Sequence, residues 1–132
     1  MAITTRILLV EDNEPLAKLM EEFLRSEGLE VEVAFTGDEA LAAAATFRPD
    51  IVLCDLRLPD MVGIDIATAF RQNPVTKNSL FVIHTAYGEM DIDDIDVPDI
   101  DLFVSKPLTP EKLEELLELS RRPHSERRSK QR

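Results

Sequence analysis

Short apolar runs alternate with amphipathic stretches along this 132-residue chain. Four runs are nearly continuous in apolar residues and one alternates with charged residues; they are RILLV (6–10), EVEVAF (30–35), IVLC (51–54), LFVIH (80–84) and LFV (102–104). Continuous apolar strands are typical of a parallel sheet that helices cover on both faces. Because crossovers between parallel strands are right-handed, we predict an open, doubly wound five-stranded α/β sheet.

The stretches between the runs carry local helix signals. Asn13 is a suitable cap for a helix with Pro15 in its first turn, and Gly28 is placed to end that helix. Its predicted apolar face consists of Leu16, Leu19, Met20, Phe23 and Leu24. Further helices are predicted from the capping-box spacing of Thr36 and Glu39, over residues 64–71, and from Thr109-Pro110.

The connection between the fourth and fifth strands departs from this pattern. Residues 88–101 (GEMDIDDIDVPDID) contain seven acids and no base. Asp is a poor former of helix interiors, and Pro98 confines any helix to the residues before it. We therefore expect the fourth helix to be short or irregular.

Charge is unevenly distributed along the chain. The formal net charge is −11, but residues 121–132 hold six Arg or Lys and one Glu, a local net of +5, so residues 1–120 carry −16. The acidic body argues against nucleic-acid binding through the domain itself. We predict one domain over residues 1–120 and a basic, disordered tail over residues 121–132.

Cysteine content and the lengths of the apolar runs limit the compartment. The single cysteine, Cys54, excludes an intrachain disulfide, and no run is long enough to span a bilayer. The N-terminus shows no signal-peptide cleavage pattern. These features predict a cytoplasmic protein without membrane contact. Within the strands, we expect Cys54 to pack as a small apolar side chain and His84 to be a structural histidine with satisfied hydrogen bonds.

Five polar side chains stand at the ends of the apolar runs. Glu11 and Asp12 follow the first run, Asp55 follows the third, Thr85 ends the fourth and Lys106 follows the fifth. In an open parallel sheet, ligands bind beyond the carboxyl ends of the strands. We therefore expect three carboxylates, one hydroxyl and one ammonium to meet at that edge.

These residue types favour phosphoryl chemistry. Clustered carboxylates repel one another unless a cation is present, and oxygen ligands suit a hard ion, which predicts Mg²⁺ as the cofactor. An aspartate beside Mg²⁺ and a lysine can attack phosphorus, because both cations offset the charge of the incoming phosphoryl group. The residues indicate a phosphoryl-accepting aspartate, with Thr85 as a donor to a phosphoryl oxygen.

Four segments around these residues resemble the receiver domain of two-component response regulators, the fold of the chemotaxis regulator. The segments are LLVEDNE (8–14), DIVLCDLRLPDMVG (50–63), FVIHTA (81–86) and LFVSKP (102–107), and the resemblance covers residues 5–120. It implies a flavodoxin-like receiver fold with five parallel strands in the order 2-1-3-4-5.

The resemblance also implies a role for each residue of the site. Asp55 resembles the phosphoacceptor, Asp12 the direct metal ligand, and Glu11 its acidic neighbour, which often acts through water. The backbone carbonyl of Arg57 would be the third protein ligand of the metal, with Asp12 and Asp55. Lys106 resembles the phosphate-binding lysine.

Two further residues resemble the switch pair of the family. Thr85 resembles the switch hydroxyl, and Phe103 takes the position of the switch aromatic, which in the family often turns inward on activation. The bond between Lys106 and Pro107 resembles the usual cis peptide. One departure concerns Arg57 and Tyr87, whose positions in the family flank the path of the hydrolysing water, so we expect slow loss of the phosphoryl group.

The resulting functional prediction is a single-domain response regulator. It would take a phosphoryl group from a sensor histidine kinase or a histidine phosphotransfer protein and act through an unknown downstream protein, as a switch rather than an enzyme. An aspartate phosphatase is disfavoured, because such enzymes need an acid two residues after the nucleophile and Arg57 stands there. A receiver-like interaction module that works without phosphorylation remains the alternative.

Overall fold

The computed structural model describes residues 4–86 and 97–127. At its centre is a five-stranded parallel sheet in the order β2-β1-β3-β4-β5. The strands are β1 (Arg6–Val10), β2 (Glu30–Ala34), β3 (Ile51–Cys54), β4 (Leu80–Thr85) and β5 (Leu102–Ser105). The predicted fold class and strand order are confirmed, and each strand begins where its predicted apolar run begins.

Five helices lie within the described ranges: α1 (Glu14–Ser26), α2 (Gly37–Phe47), α3 (Gly63–Gln72), α4 (Pro110–Ser120) and the four-residue α5 (His124–Arg127). The predicted caps accept backbone N–H groups with their side chains, at 3.0 Å for Asn13 and 3.1 Å for both Thr36 and Thr109. Glu39 varies the capping box, because its carboxylate accepts the N–H of Phe35 at 2.9 Å rather than that of Thr36. None of these described helices has the length and apolar character needed to cross a membrane.

Apolar side chains pack on both faces of the sheet. Ile7 and Leu9 of β1 pack in a cluster with α1 and α4, whereas Leu8 and Val10 pack in a second cluster with α2 and α3. Successive side chains of a strand point to opposite faces, so each of the central strands β1, β3 and β4 contributes side chains to both clusters. Burial on both faces explains why the runs of β1, β3 and β4 are continuous rather than alternating.

One residue of the predicted apolar face of α1 lies outside the core. Ala17, Met20 and Leu24 are buried, but Leu19 is 65% exposed. Leu19 immediately precedes Met20, which places it about 100° around the helix from that buried position. The prediction of a five-residue apolar face was therefore wrong for Leu19, because the sheet and α4 cover a narrower stripe.

Residues 121–127 contradict the predicted disordered tail. They form a turn followed by α5, and Arg127 is buried. Its guanidinium donates to the carbonyls of Asn78 at 2.7 Å and Ser120 at 3.1 Å. These charge-assisted bonds satisfy carbonyls at the end of α4 and order a segment that has no apolar face. The rest of the predicted tail, residues 128–132, lies outside the described ranges.

The connection before β5 is held by one buried ion pair. Asp101 accepts the guanidinium of Arg71 at 2.7 Å and the N–H of Phe81 at 2.8 Å. This arrangement fixes where the chain enters β5. The predicted short or irregular helix falls on residues 88–96, which lie outside the described residues.

Candidate functional site

Three carboxylates meet at the carboxyl edge of the sheet. Glu11 and Asp12 follow β1, Asp55 follows the neighbouring strand β3, and one oxygen from each lies within 4.8 Å of the others. Backbone hydrogen bonds continue past the strand ends, from Glu11 N–H to the carbonyl of Ala34 at 3.0 Å and from Asp55 N–H to that of Val10 at 2.9 Å. The sheet itself therefore holds two of the three acids in position.

The ammonium of Lys106 lies between two of these carboxylates. Its Nζ is 2.8 Å from Glu11 Oε1 and 3.2 Å from Asp55 Oδ2. The backbone N–H of Lys106 donates to the carbonyl of Thr85 at 2.8 Å, so the β4–β5 pairing sets its position. The Lys106–Pro107 peptide bond is cis, which confirms that prediction.

Burial and ion pairing act in opposite directions on these groups. Burial raises the pKa of Glu11 above its ordinary value, although the Lys106 ammonium and the Asn13 N–H partly counter this. For Lys106, burial alone would lower the pKa, but the carboxylates of Glu11 and Asp55 outweigh it and raise the pKa. Lys106 is therefore a fixed positive charge beside Asp55 at neutral pH.

The two predicted switch residues lie on one face of the sheet. Thr85 is fully buried at the end of β4, and Phe103 is half-buried in β5. Register pairs Ile83 with Phe103, and Ile83 and Thr85 are two residues apart on β4, so all three side chains share that face. Phe103 packs against the apolar cluster that contains Ile83.

The segment from the end of β3 to the first residue of α3, residues 55–63 (the 55–63 loop), is held by backbone contacts within it. The N–H of Leu58 donates to the carbonyl of Met61 at 3.0 Å, and Arg57 forms an antiparallel β-bridge with Val62. The bridge fixes the backbone of Arg57, whose carbonyl is the predicted third metal ligand. The Arg57 side chain is exposed.

Gly63 begins α3 in direct contact with the backbone of Asp55. A Cβ atom on Gly63 would lie 2.6 Å from the Asp55 carbonyl oxygen and 2.8 Å from Cδ1 of Ile83. The N–H of Gly63 donates to the carbonyl of Leu56 at 2.7 Å. Only glycine permits this close approach without displacing the backbone next to Asp55.

No sequence pattern points to Asp60, yet it joins two elements beside the site. Its two carboxylate oxygens accept the N–H groups of Gly37 at 2.8 Å and Asp38 at 2.9 Å, at the start of α2. These two hydrogen bonds lower the pKa of Asp60. The partners lie 23 and 22 residues earlier in the chain, so no local spacing could have revealed them.

Two further titratable groups are buried next to the site residues. His84 is 2% exposed, and its Nε2 has no hydrogen-bond partner among the described residues, which contradicts the expectation of a satisfied histidine. Burial, reinforced by the charge of Lys106, lowers the pKa of His84 to about 4, so its imidazole is neutral at pH 7. Cys54 is buried as predicted, and burial raises the pKa of its thiol.

The donor set fits a magnesium ion. Asp12 and Asp55 offer carboxylate oxygens, and Asp12 is exposed, which leaves room for the waters that Mg²⁺ retains. The two oxygens of Glu11 already accept from Lys106 at 2.8 Å and from the N–H of Asn13 at 3.1 Å. Glu11 is thus suited to an indirect contact through water rather than to direct ligation.

Comparison with known proteins agrees with this geometry. Residues 7–118 match the sequence profile of the response regulator receiver domain. The chain belongs to this family, whose members are phosphoacceptor switches of two-component systems rather than classical enzymes.

Three similar proteins illustrate the relationship. The DNA-binding response regulator MtrA of Mycolicibacterium smegmatis is 35% identical over 113 residues, which cover 82% of this chain and 46% of that protein. The response regulator TrrA of Thermotoga maritima, solved with Mg(2+)-BeF, has a TM-score of 0.77 at 28% identity, with 89% and 99% of the two chains covered. The receiver domain of sensor histidine kinase PA1611 of Pseudomonas aeruginosa, solved with magnesium in its active site cleft, has a TM-score of 0.77 at 26% identity, with 88% and 96% covered. The chain spans about half the length of the MtrA proteins that it matches.

Proposed function

We propose that Asp55 accepts a phosphoryl group from a phosphohistidine donor in the presence of Mg²⁺, and that this event changes which partner the domain binds. The observation that carries the proposal is the position of Lys106, 3.2 Å from Asp55 and 2.8 Å from Glu11. A lysine held there places positive charge where the phosphoryl oxygens arrive. The same pocket holds Asp12 as a further oxygen ligand for a cation.

The proposed transfer is a single displacement at phosphorus. An Asp55 carboxylate oxygen forms a bond to phosphorus while the phosphorus–nitrogen bond of the donor breaks, and the imidazole leaves with that electron pair and takes up a proton. Lys106 then pairs with a phosphoryl oxygen. Mg²⁺, when held by Asp12, Asp55 and the Arg57 carbonyl, supplies a second positive charge.

The proposed readout begins at the switch pair. A phosphoryl oxygen on Asp55 gives the Thr85 hydroxyl a new acceptor at the end of β4. Phe103, which lies on the same face of the sheet, fills the space that Thr85 leaves. The surface around residues 86–106 is then biased between two states, and a partner that binds one state better reads the change.

The proposed partners follow from the family. Receiver domains interact with histidine kinases or phosphotransfer proteins, and we propose a protein of one of these classes as the donor. The effector is an unidentified protein. Because the chain spans 46% of the MtrA protein, the DNA binding in that protein's name is not transferred to this chain. The single-domain character and the cytoplasmic location remain predictions.

Incubation with Mg²⁺ and acetyl phosphate, followed by intact-mass measurement, tests the proposal. The wild type is expected to gain one phosphoryl group, Asp55→Asn to gain none, and the control Asp65→Asn, which changes an exposed acid of α3, to behave like the wild type. If wild type and Asp55→Asn gain the same mass, or if neither gains any, Asp55 is not the acceptor. The second result would favour an interaction module that works without phosphorylation.

A further inference from the structure

Asp60 connects the loop of the metal site to a different helix. It stands near the tip of the 55–63 loop, and both of its carboxylate oxygens accept backbone N–H groups from the start of α2, at 2.8 Å from Gly37 and 2.9 Å from Asp38. Hydrogen bonds to a charged acceptor are the stronger kind, and two of them restrain the orientation of the carboxylate. The exposed carboxylate of Asp60 therefore ties the loop tip to the start of α2.

An apolar contact reinforces the same connection. Met61, the next residue of the loop, packs so closely on the start of α2 that a Cβ on Gly37 would lie 2.2 Å from its Cγ. The loop tip thus meets α2 through one charged and one apolar side chain. Both contacts involve the first residue of the helix.

The position of Asp60 in the loop bears directly on a metal ligand. Asp60 lies inside the turn closed by the hydrogen bond from Leu58 N–H to the Met61 carbonyl, and the next pairing below that turn is the β-bridge between Arg57 and Val62. Through these two pairings, a shift of the loop tip would also move the backbone of Arg57. The group at its base is the carbonyl of Arg57, which the proposed function assigns to Mg²⁺.

The start of α2 already has its own cap. The side chain of Thr36 accepts the N–H of Glu39 at 3.1 Å, which is the ordinary N-cap bond. Asp60 adds two more acceptors from outside the helix. If Asp60 acted only by stabilising α2, its loss should have the same kind of effect as the loss of Thr36. The two residues differ because Asp60 belongs to the 55–63 loop and Thr36 does not.

We propose that Asp60 is a positioning residue for the metal site. Asp60 holds the 55–63 loop against α2, so that the Arg57 carbonyl faces the cation. The inference rests on the proposed function, because it needs Mg²⁺ to bind at Asp12 and Asp55. It extends that function to a residue that touches neither the metal nor the phosphoryl group.

The test compares Asp60→Ala with Thr36→Ala, a matched variant that removes the other cap of the same helix end. Mg²⁺ affinity is measured by calorimetry at a temperature where circular dichroism shows every variant to be folded. Loss of a group that orients a metal ligand weakens binding by roughly tenfold at the low end, so Asp60→Ala should raise the Kd of Mg²⁺ by about tenfold. For Thr36→Ala, the Kd of Mg²⁺ should stay within about twofold of the wild-type value, because Thr36 is not part of the loop that carries the metal ligand.

A second readout needs no metal. Amide exchange followed by NMR in the metal-free protein should show faster exchange at Leu58 in Asp60→Ala and an unchanged rate in Thr36→Ala. Asp60→Asn keeps one acceptor oxygen and should fall between Asp60→Ala and the wild type in both measurements. Because Asn at position 60 would also keep one acceptor for the start of α2, the comparison with Thr36→Ala is what separates loop positioning from helix stability.

The outcomes separate the two proposals. If the wild type binds Mg²⁺ and Asp60→Ala matches Thr36→Ala in Mg²⁺ affinity and in Leu58 exchange, the positioning role is wrong and the proposed function stands. If the wild type binds no Mg²⁺, or binds it equally well after Asp55→Asn, the proposed function itself fails.

Discussion

Replacing His84 with leucine should change how the stability of this protein depends on pH. His84 is buried in β4, its Nε2 has no hydrogen-bond partner among the described residues, and its pKa is lowered to about 4. The folded protein therefore resists protonating this imidazole, whereas the unfolded chain protonates it near the ordinary value of 6.5. Acid then favours the unfolded state.

The size of the effect follows from the two pKa values. Since the folded pKa is below the unfolded one, the stability is fully present above pH 6.5 and is lost as the pH falls toward 4. Relative to pH 8, the free energy of unfolding should drop by about 2 kcal/mol at pH 5 and about 3 kcal/mol at pH 4 through this group alone. His84→Leu removes a buried nitrogen that has no hydrogen-bond partner in the described part of the chain, so it should cost little or nothing at pH 8.

Urea unfolding, monitored by circular dichroism in EDTA at closely spaced pH values, measures the effect. Acids titrate in the same range, but they are common to all variants, so the difference between wild type and His84→Leu isolates the imidazole. His124 is the only other histidine in the sequence and provides the matched control. His124→Gln should keep the full wild-type loss of stability between pH 8 and pH 5.

Parallel curves for wild type and His84→Leu between pH 8 and pH 5 would show that His84 does not cause the loss of stability in acid. Such a result would mean that the imidazole titrates equally in the folded and unfolded states, which is incompatible with its burial in the folded protein. A curve for His124→Gln that follows His84→Leu would likewise assign the effect to the wrong histidine.

Three other variants test the packing of α5, the contact between α3 and Asp55, and the access of water to the phosphorylated site. Arg127→Ala removes a buried guanidinium that donates to several carbonyls, so it should lower the free energy of unfolding by about 2 kcal/mol in urea titrations. The control Arg121→Ala changes an exposed side chain and should change that free energy by less than about 0.5 kcal/mol. Equal effects would show that α5 does not pack against the domain. Gly63→Ala inserts a methyl group 2.6 Å from the Asp55 carbonyl, so unfolding should become easier by about 2 kcal/mol and Mg²⁺ binding weaker; wild-type stability would mean that α3 and the loop yield readily. Arg57→Ala combined with Tyr87→Ala should shorten the lifetime of the phosphorylated protein, measured as phosphate release, and an unchanged lifetime would show that these side chains do not obstruct water.

The strands and helix caps were predictable because their signals are local. The runs of β1, β3 and β4 are continuous because these strands are buried on both faces. Caps such as Asn13 and Thr36 act on residues only three positions away. The convergence of Glu11, Asp55 and Lys106 was also predictable, because the carboxyl ends of parallel strands meet at one edge.

The errors concern contacts between distant parts of the chain. Arg127 reaches Asn78, 49 residues earlier, so composition alone made its segment resemble a disordered tail. Asp60 reaches α2 in the same way. For Leu19, helical periodicity predicted a place on the apolar face of α1, but it did not show how much of that face the sheet and α4 bury. That His84 Nε2 finds no hydrogen-bond partner among residues 4–86 and 97–127 depends on packing around β4, which no spacing rule describes.

In the proposed mechanism, Thr85 and Phe103 sense a group bound at Asp55. The direct measurement is the amide NMR spectrum with Mg²⁺ and beryllofluoride, which stands in for the phosphoryl group. Large shifts are expected at Thr85 and Phe103 in the wild type and none in Asp55→Asn. Identical spectral changes in both proteins, or shifts confined to residues that touch the ligand, would contradict it.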